Sequence, residues 1–345
     1  LSEEAPESVT TVLRSNTFPH TDHRILSYPD GAFMVLVEDD ATRSAANRTR
    51  LKYSIYNGSA WTTPAVVDPD DATADYKPVA AATNDGVIAA WENINEVLAD
   101  DAALEDALSA EEICTARYDE ASDTWVQLGN LTNDSYMDCT PQIATSGSKA
   151  ILVWLKSKSE DYSNLLTADY SAVNDICFSK WDGNAFSIPM TIASFDRPVM
   201  DMTVAYHGSG AIILFTVDED KNLNTAADQE IYRMAYDGTA WTEPVKLTNN
   251  QVKDSNGQIN YINGEAIAVW NQNGKILYAT DLLSTSPIIK TALEQTFLQD
   301  TFTIASGGDG TLALVGTGKS GSAQELYAVT YDKAGDVWSS NGSYD

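Results

Sequence analysis

The chain is 345 residues long and 43% hydrophobic, with 16 Tyr and 8 Trp, enough large apolar surface for a substantial core and too much for a disordered segment. It has 50 Asp and Glu against 21 Lys and Arg, a formal net charge of -29, which repels phosphate backbones and anionic lipid and so excludes nucleic-acid binding and membrane insertion from the expected functions. Convergent carboxylates on such a surface suit hard cations.

The opening Leu1-Ser2-Glu3-Glu4-Ala5-Pro6 lacks a charged-then-apolar leader and reads as a mature or trimmed terminus. Residues 9–14 form a strand-like segment expected to pair with the last repeat and close a ring. From there the chain repeats itself, in six units near 23–68, 77–130, 140–193, 200–248, 257–294 and 301–341. Each unit has a short strand, a Gly or Asn/Asp turn, and an apolar strand closing on a large residue: Leu36, Trp91, Trp154, Phe215, Trp270 and Val315 in chain order. These second strands are apolar at nearly every position, as expected where both faces are covered.

A variable polar loop, a third strand, a turn and a fourth strand complete the unit. The turn before the fourth strand recurs as Asn57-Gly58-Ser59-Ala60-Trp61, Asp182-Gly183-Asn184-Ala185-Phe186 and Asp237-Gly238-Thr239-Ala240-Trp241, with a variant ending at Trp125. Four antiparallel strands repeated six times predict an all-β six-bladed propeller as a single domain over 1–345, with central strands near Arg24–Ser27, Val79–Ala82, Gln142–Thr145, Thr203–Tyr206, Gln258–Tyr261 and Thr303–Ser306. A β-sandwich is the alternative, disfavoured because sandwiches rarely repeat their own sequence. The second unit's loop includes the one helix-like stretch, Ala102–Ala110, and the fifth unit's loop shrinks to a tight Asn273-Gly274 hairpin.

Chemistry is harder to place. Cys114, Cys139 and Cys177 are expected as free buried thiols, and His20, His23 and His207 as solvated loop residues without zinc-ligand spacing. Gly316-Thr317-Gly318-Lys319-Ser320 fails as a phosphate loop because Ala313 stands where the first glycine belongs. The acids heading the third strands, Glu112, Asp175, Glu230 and Glu325, recur at one repeat position and are expected to accept hydrogen bonds from a neighbouring loop. Trp61, Trp125 and Trp241, beside turns, are the weak candidates for sugar stacking; Trp91, Trp154 and Trp270 are expected in the core. In the loop 218–230, Asp218, Asp220, Asn222, the carbonyl of Asn224 and Asp228 alternate as the oxygens of a Ca²⁺ site would, without the EF-hand's turn glycine or its Glu at position 12.

The string from Phe215 through the acidic loop to Asp237-Gly238-Thr239-Ala240-Trp241-Thr242-Glu243-Pro244-Val245-Lys246-Leu247-Thr248 resembles repeats in large exported proteins of Gram-positive gut bacteria, which are similar in fold to sialidase-like propellers. The likeness is good over one unit and degenerate over the rest. It implies fold class and export, secreted or attached to the cell wall, and no particular reaction. The Asp-Gly-x-x-Trp turns also resemble the Asp-box turns of sialidases, but the eight arginines are scattered and form no three-arginine cluster. The expectation is therefore a monomeric, non-catalytic module binding a glycan or a surface protein. An inert spacer is its alternative, and a sialidase-like glycoside hydrolase stands third.

Overall fold

The computed structural model describes residue 17 and residues 21–29, 31–162, 174–293, 297–307, 310–320 and 323–344. The segment expected to close the ring, 9–14, lies outside these. The described chain forms six four-stranded antiparallel sheets, each built from strands consecutive in sequence, and is a six-bladed β-propeller. The innermost strands are His23–Tyr28, Asp75–Thr83, Asp138–Ser146, Val199–His207, Asp254–Ile262 and Phe297–Ser306. Each of the six segments read as central strands lies inside one of them.

Packing explains why the second strands are so apolar. Every residue of Gly86–Ile94 is buried, and Gly210–Asp218 is buried from Ala211 onward, because a blade lies against each face. One hydrophobic cluster fills the space between each successive pair of blades: Phe33 and Val35 meet Val87 and Trp91, Ile113 meets Leu152 and Trp154, Ile213 and Phe215 meet Ile151 and Val153, Leu214 meets Ala268 and Trp270, and Val269 meets Leu312 and Leu314. Each such side chain contributes about 1.5–3 kcal/mol of transfer free energy. The three cysteines are free and buried, as expected, and burial first of all raises all three thiols above their ordinary range.

A polar pairing runs through this core at a spacing of 16 residues. Trp154 Nε1 donates to Asp138 (2.6 Å) and Trp270 Nε1 to Asp254 (3.0 Å), each Asp heading an inner strand. A buried indole N–H needs an acceptor, and a buried carboxylate needs donors. Blade four, whose closing residue is Phe215 with no N–H to satisfy, has Val199 at the corresponding position. Asp75 takes the same place below Trp91, where its carboxylate accepts from Leu51 N (2.8 Å) of blade one and Asn93 Nδ2 (3.2 Å).

Two residues after each of these acids the inner strand bulges, with Lys77, Thr140 and Asn256 at φ 40°, 57° and 51°. A bulge re-aims the strand end, here at the rim of the central channel. Two of the four acids heading the third strands accept from the loop as expected: Glu112 from Asp134 N and Glu230 from Asn250 N (2.6 Å), clamping the loop that leads to the next blade, whereas Asp175 makes no such bond among the described residues and the side chain of Glu325 lies outside them.

Replacing Asp138 with Val leaves the Trp154 N–H buried without an acceptor and should cost about 1–3 kcal/mol by denaturant unfolding. Adding Trp154→Phe, the combination blade four uses, should make the double variant less destabilised than the sum of the single ones. Simple additivity would show that the pair is not coupled. Burial first, then the charge of Asp71, lifts the Asp75 carboxyl to about 7. A raised folded-state value favours the native state below the ordinary carboxylate range and loses that stability as pH climbs from about 4 to about 7. Asp75→Asn should flatten that decline in melting temperature; an unchanged slope would refute the assignment.

Candidate functional site

The six inner strands surround an axial channel of about 290 Å³, lined by Arg24, Val79, Gln142, Thr203, Gln258 and Thr303 among others. Where the inner strands of blades one to three begin, the channel meets a cavity of about 480 Å³ lined by Asp22, His23, Arg24, Lys77, Thr140 and Gln142. Asp22 and Lys77 also line an adjoining cavity of about 550 Å³, which extends past Glu92 to Glu111 and the helix Leu104–Ser109. That helix is the element expected from the second unit's loop, and it forms a wall of the cleft.

Within the cleft, Glu92 and Glu111 are diagonal neighbours on adjacent strands, since Glu92 pairs with Ile113 and Ile94 with Glu111. Glu92, only 2% exposed, accepts from Thr140 N (2.6 Å) and from Lys77 Nζ (3.2 Å). The bulges described above supply both donors: Thr140 turns its N–H toward Glu92 from blade three, and Lys77 lies on the bulge of blade two. Glu111 hydrogen-bonds to Glu92, and burial, then the charge of Glu92 and that hydrogen bond, holds the Glu111 carboxyl well above the usual range. Burial and the neighbouring charge thus favour the protonated form of Glu111 more than they would that of an exposed carboxyl. Asp22, exposed on the same cleft, supplies a second carboxylate. A carboxyl that burial holds above its usual range and an exposed one around one cleft are parts that suit acid–base chemistry on a bound ligand.

The structure brings together Asp218, Asp220 and Asp228, with one carboxylate oxygen of each within 4.8 Å of the others, a group that could hold a metal ion. Repulsion from Asp228 and Asp220, after burial, raises the Asp218 carboxyl. Asn222 presents its backbone N–H to Asp218 (3.1 Å) and Asp220 (2.8 Å), while its side-chain oxygen accepts from Asn224 N and Nδ2 (3.3 and 3.2 Å). A second acidic group, Glu112, Asp134 and Asp138, was not anticipated from sequence. Lys156 Nζ already lies between Asp134 (2.6 Å) and Asp138 (3.0 Å) there.

Trp125 packs between blades one and two against Phe33, Tyr53 and Tyr118, with ring centroids 6.0, 5.5 and 5.6 Å away. Trp241 does the same between blades three and four against Phe178 (5.6 Å) and Tyr236 (5.2 Å), and Trp61 lies against Tyr56 (5.5 Å). None of the three lines the axial cleft.

No protein-family model matches the sequence, and no curated protein matches it. Among solved structures it is similar to the GH93 α-L-arabinofuranosidase of Fusarium graminearum in complex with arabinobiose, at 13% identity over 94% of this chain and 96% of that one, with a TM-score of 0.60. It is also similar to the polysaccharide lyase Uly1 (9% identity, 90% of this chain and 77% of that one, TM-score 0.58) and to a PL25 ulvan lyase (9%, 95% and 83%, TM-score 0.55). At these identities the likeness is one of fold, and it corrects one expectation. The reading as a non-catalytic binding module is corrected, because the solved propellers of matching extent that this chain resembles are glycan-active enzymes. Scattered arginines were a poor argument against an enzyme: they speak only to one sugar-binding arrangement. The acid pair could not be picked out among so many carboxylates until folding set Glu92 and Glu111 on one face.

If a divalent cation binds at Asp218, Asp220 and Asp228, it should raise the melting temperature by mass action, by about 2.7 kcal/mol at a hundredfold excess over the dissociation constant. Asp220→Ala should abolish the difference between melts with cation and with chelator. Coincident native curves would reduce the group to a solvated acidic turn.

Proposed function

We propose that the chain is a glycan-active enzyme that hydrolyses a glycosidic bond at the mouth of the channel. The observation behind this reading is the Glu92–Glu111 pair, two neighbouring carboxyls of which burial and charge push Glu111 above its usual range, on the wall of a cleft that also presents Asp22. The arabinofuranosidase and lyases of the same fold support it, since those proteins act on glycans.

In this reading Glu111 gives its proton to the departing glycosidic oxygen as the C–O bond breaks, and Asp22 takes a proton from the water whose oxygen attacks the anomeric carbon. Solvent returns the proton from Asp22 to Glu111. Glu92 is a positioning residue: held by Thr140 N–H and Lys77, it anchors the Glu111 proton and its charge resists early ionisation. Hydrolysis is the reaction this reading takes because Glu111, held above its usual range, is suited to giving a proton to the departing oxygen.

We further take the ion at Asp218, Asp220 and Asp228 to be Ca²⁺, since irregular oxygen sets suit a large cation better than the octahedral Mg²⁺. Export to the cell exterior or wall is proposed on the likeness of the fourth unit to exported repeats, with the enzyme acting as a monomer.

The test is turnover of aryl glycosides and plant or algal polysaccharides. Glu111→Gln should lower kcat about 10²–10⁴-fold while the fold survives. Glu92→Gln removes the charge that raises Glu111, so the alkaline limb of the pH–rate profile should move to lower pH. Activity undiminished in Glu111→Gln would sink the assignment.

A further inference from the structure

We propose that the glycan bound at the channel mouth is acidic, and that Arg24 is the group that recognises its oxyanion. This deepens the reading of the mouth as a glycan site and rests on it.

With 21 basic residues among 50 acidic ones, the chain has a surplus of partners for every cation. The other arginines of the described residues all use one. Arg48 pairs with Asp39 (2.5 Å), Arg50 with Asp40 (3.0 Å), Arg117 with Asp119 (3.6 Å), Arg197 with Glu219, and Arg43 with Asp40 (3.8 Å) and Asp71 (3.7 Å); Arg233 donates to Ser284 O (2.8 Å). Arg24 alone has neither a hydrogen bond nor an ion pair among the described residues, even with Asp22 two positions away on the same rim. It lies where two of the cavities meet, lining both the mouth and the channel. Pairing with Val35 fixes its backbone, and the period-two alternation puts it on the same face as Leu26, which packs toward blade two and the cleft.

A guanidinium left unpaired in so negative a molecule is a site with its charge unspent. Its planar fork matches a carboxylate or sulfate bidentately, and the surrounding negative field makes an adventitious anion elsewhere on the surface unfavourable. His23, beside it on the rim, has its Nδ1 engaged with Thr21 O (3.1 Å). Lys77, the remaining cation of the mouth, is bound to Glu92. Among the described residues the unpaired positive charge of the mouth is thus that of Arg24, and the mouth shares Asp22 and Lys77 with the cavity that reaches Glu111.

The full chain would be titrated calorimetrically with galacturonate and glucuronate oligosaccharides, with the same oligomers after reduction of their carboxyl groups to alcohols, and with sulfated neutral oligosaccharides. Native protein should bind a charged oligomer about tenfold or more tighter than its neutral counterpart, Arg24→Gln should erase that preference, and Arg24→Lys should restore part of it. Preference for the uronate identifies a carboxylate as the recognised group, and preference for the sulfated arm a sulfate. Equal affinity for charged and reduced oligomers, an Arg24→Gln variant that keeps the preference, or no binding of any arm would overturn the inference. Turnover of neutral glycans that responds to Glu111→Gln but not to Arg24→Gln would overturn it while leaving the hydrolase standing. Charged binding that depends on Arg24 without turnover of any glycan would do the reverse.

Discussion

Everything in this structure depends on the second strand of each blade being dry on both sides. A strand covered on only one face could alternate apolar and polar residues; one pressed between two sheets cannot, and Gly86–Ile94 has no exposed residue. The dryness dictates the rest. Any N–H in that layer must find an acceptor inside it, which is why indoles at Trp154 and Trp270 come with Asp138 and Asp254, and why Phe215 comes with Val199. Those acids in turn sit where the inner strands bulge, and the bulges build the rim of the mouth. The geometry of the mouth and the polar pairing of the core are thus linked through a single repeated residue.

The architecture was legible because it is written six times. Apolar second strands, Asp-Gly turns and aromatic closures each recur, so an ambiguous copy such as Thr311–Ser320 could be read by analogy with a clear one. The turn chemistry was local as well: Asp182 and Asp237 each accept from the N–H groups two and three residues on, with a left-handed Gly between. The convergence of Asp218, Asp220 and Asp228 in the acidic loop of blade four was legible because only nine residues separate the first from the last and the loop closes on itself.

The candidate site was not legible, for a different physical reason. Glu92 and Glu111 belong to strands divided by the whole variable loop, Lys77 comes from the strand before and Thr140 from the next blade. Only register and blade packing bring them together. The signal that could have found them was the register itself: once Trp91 is set opposite Cys114, Glu92 and Glu111 follow as same-face neighbours. Likewise, Asp75, Asp138 and Asp254 stand at one fixed separation from a Trp, a pattern visible in sequence to a search for acids as well as for aromatics. The tryptophans beside the turns drew attention instead; Trp125 and Trp241 pack between blades, and Trp61 lies against Tyr56 of its own blade.

The loops on the axial face differ greatly in height. Blade two raises the helix Leu104–Ser109 beside the cleft, blades one and four extend the loops around Asp40–Arg48 and Glu219–Asp228, and blade five turns back at once through Asn273 and Gly274. Of these four loops that of blade five is the shortest. For the proposed hydrolase, a polymer lying across the mouth would meet the least obstruction over that blade, so cleavage within a chain would need no free end threaded through the ring.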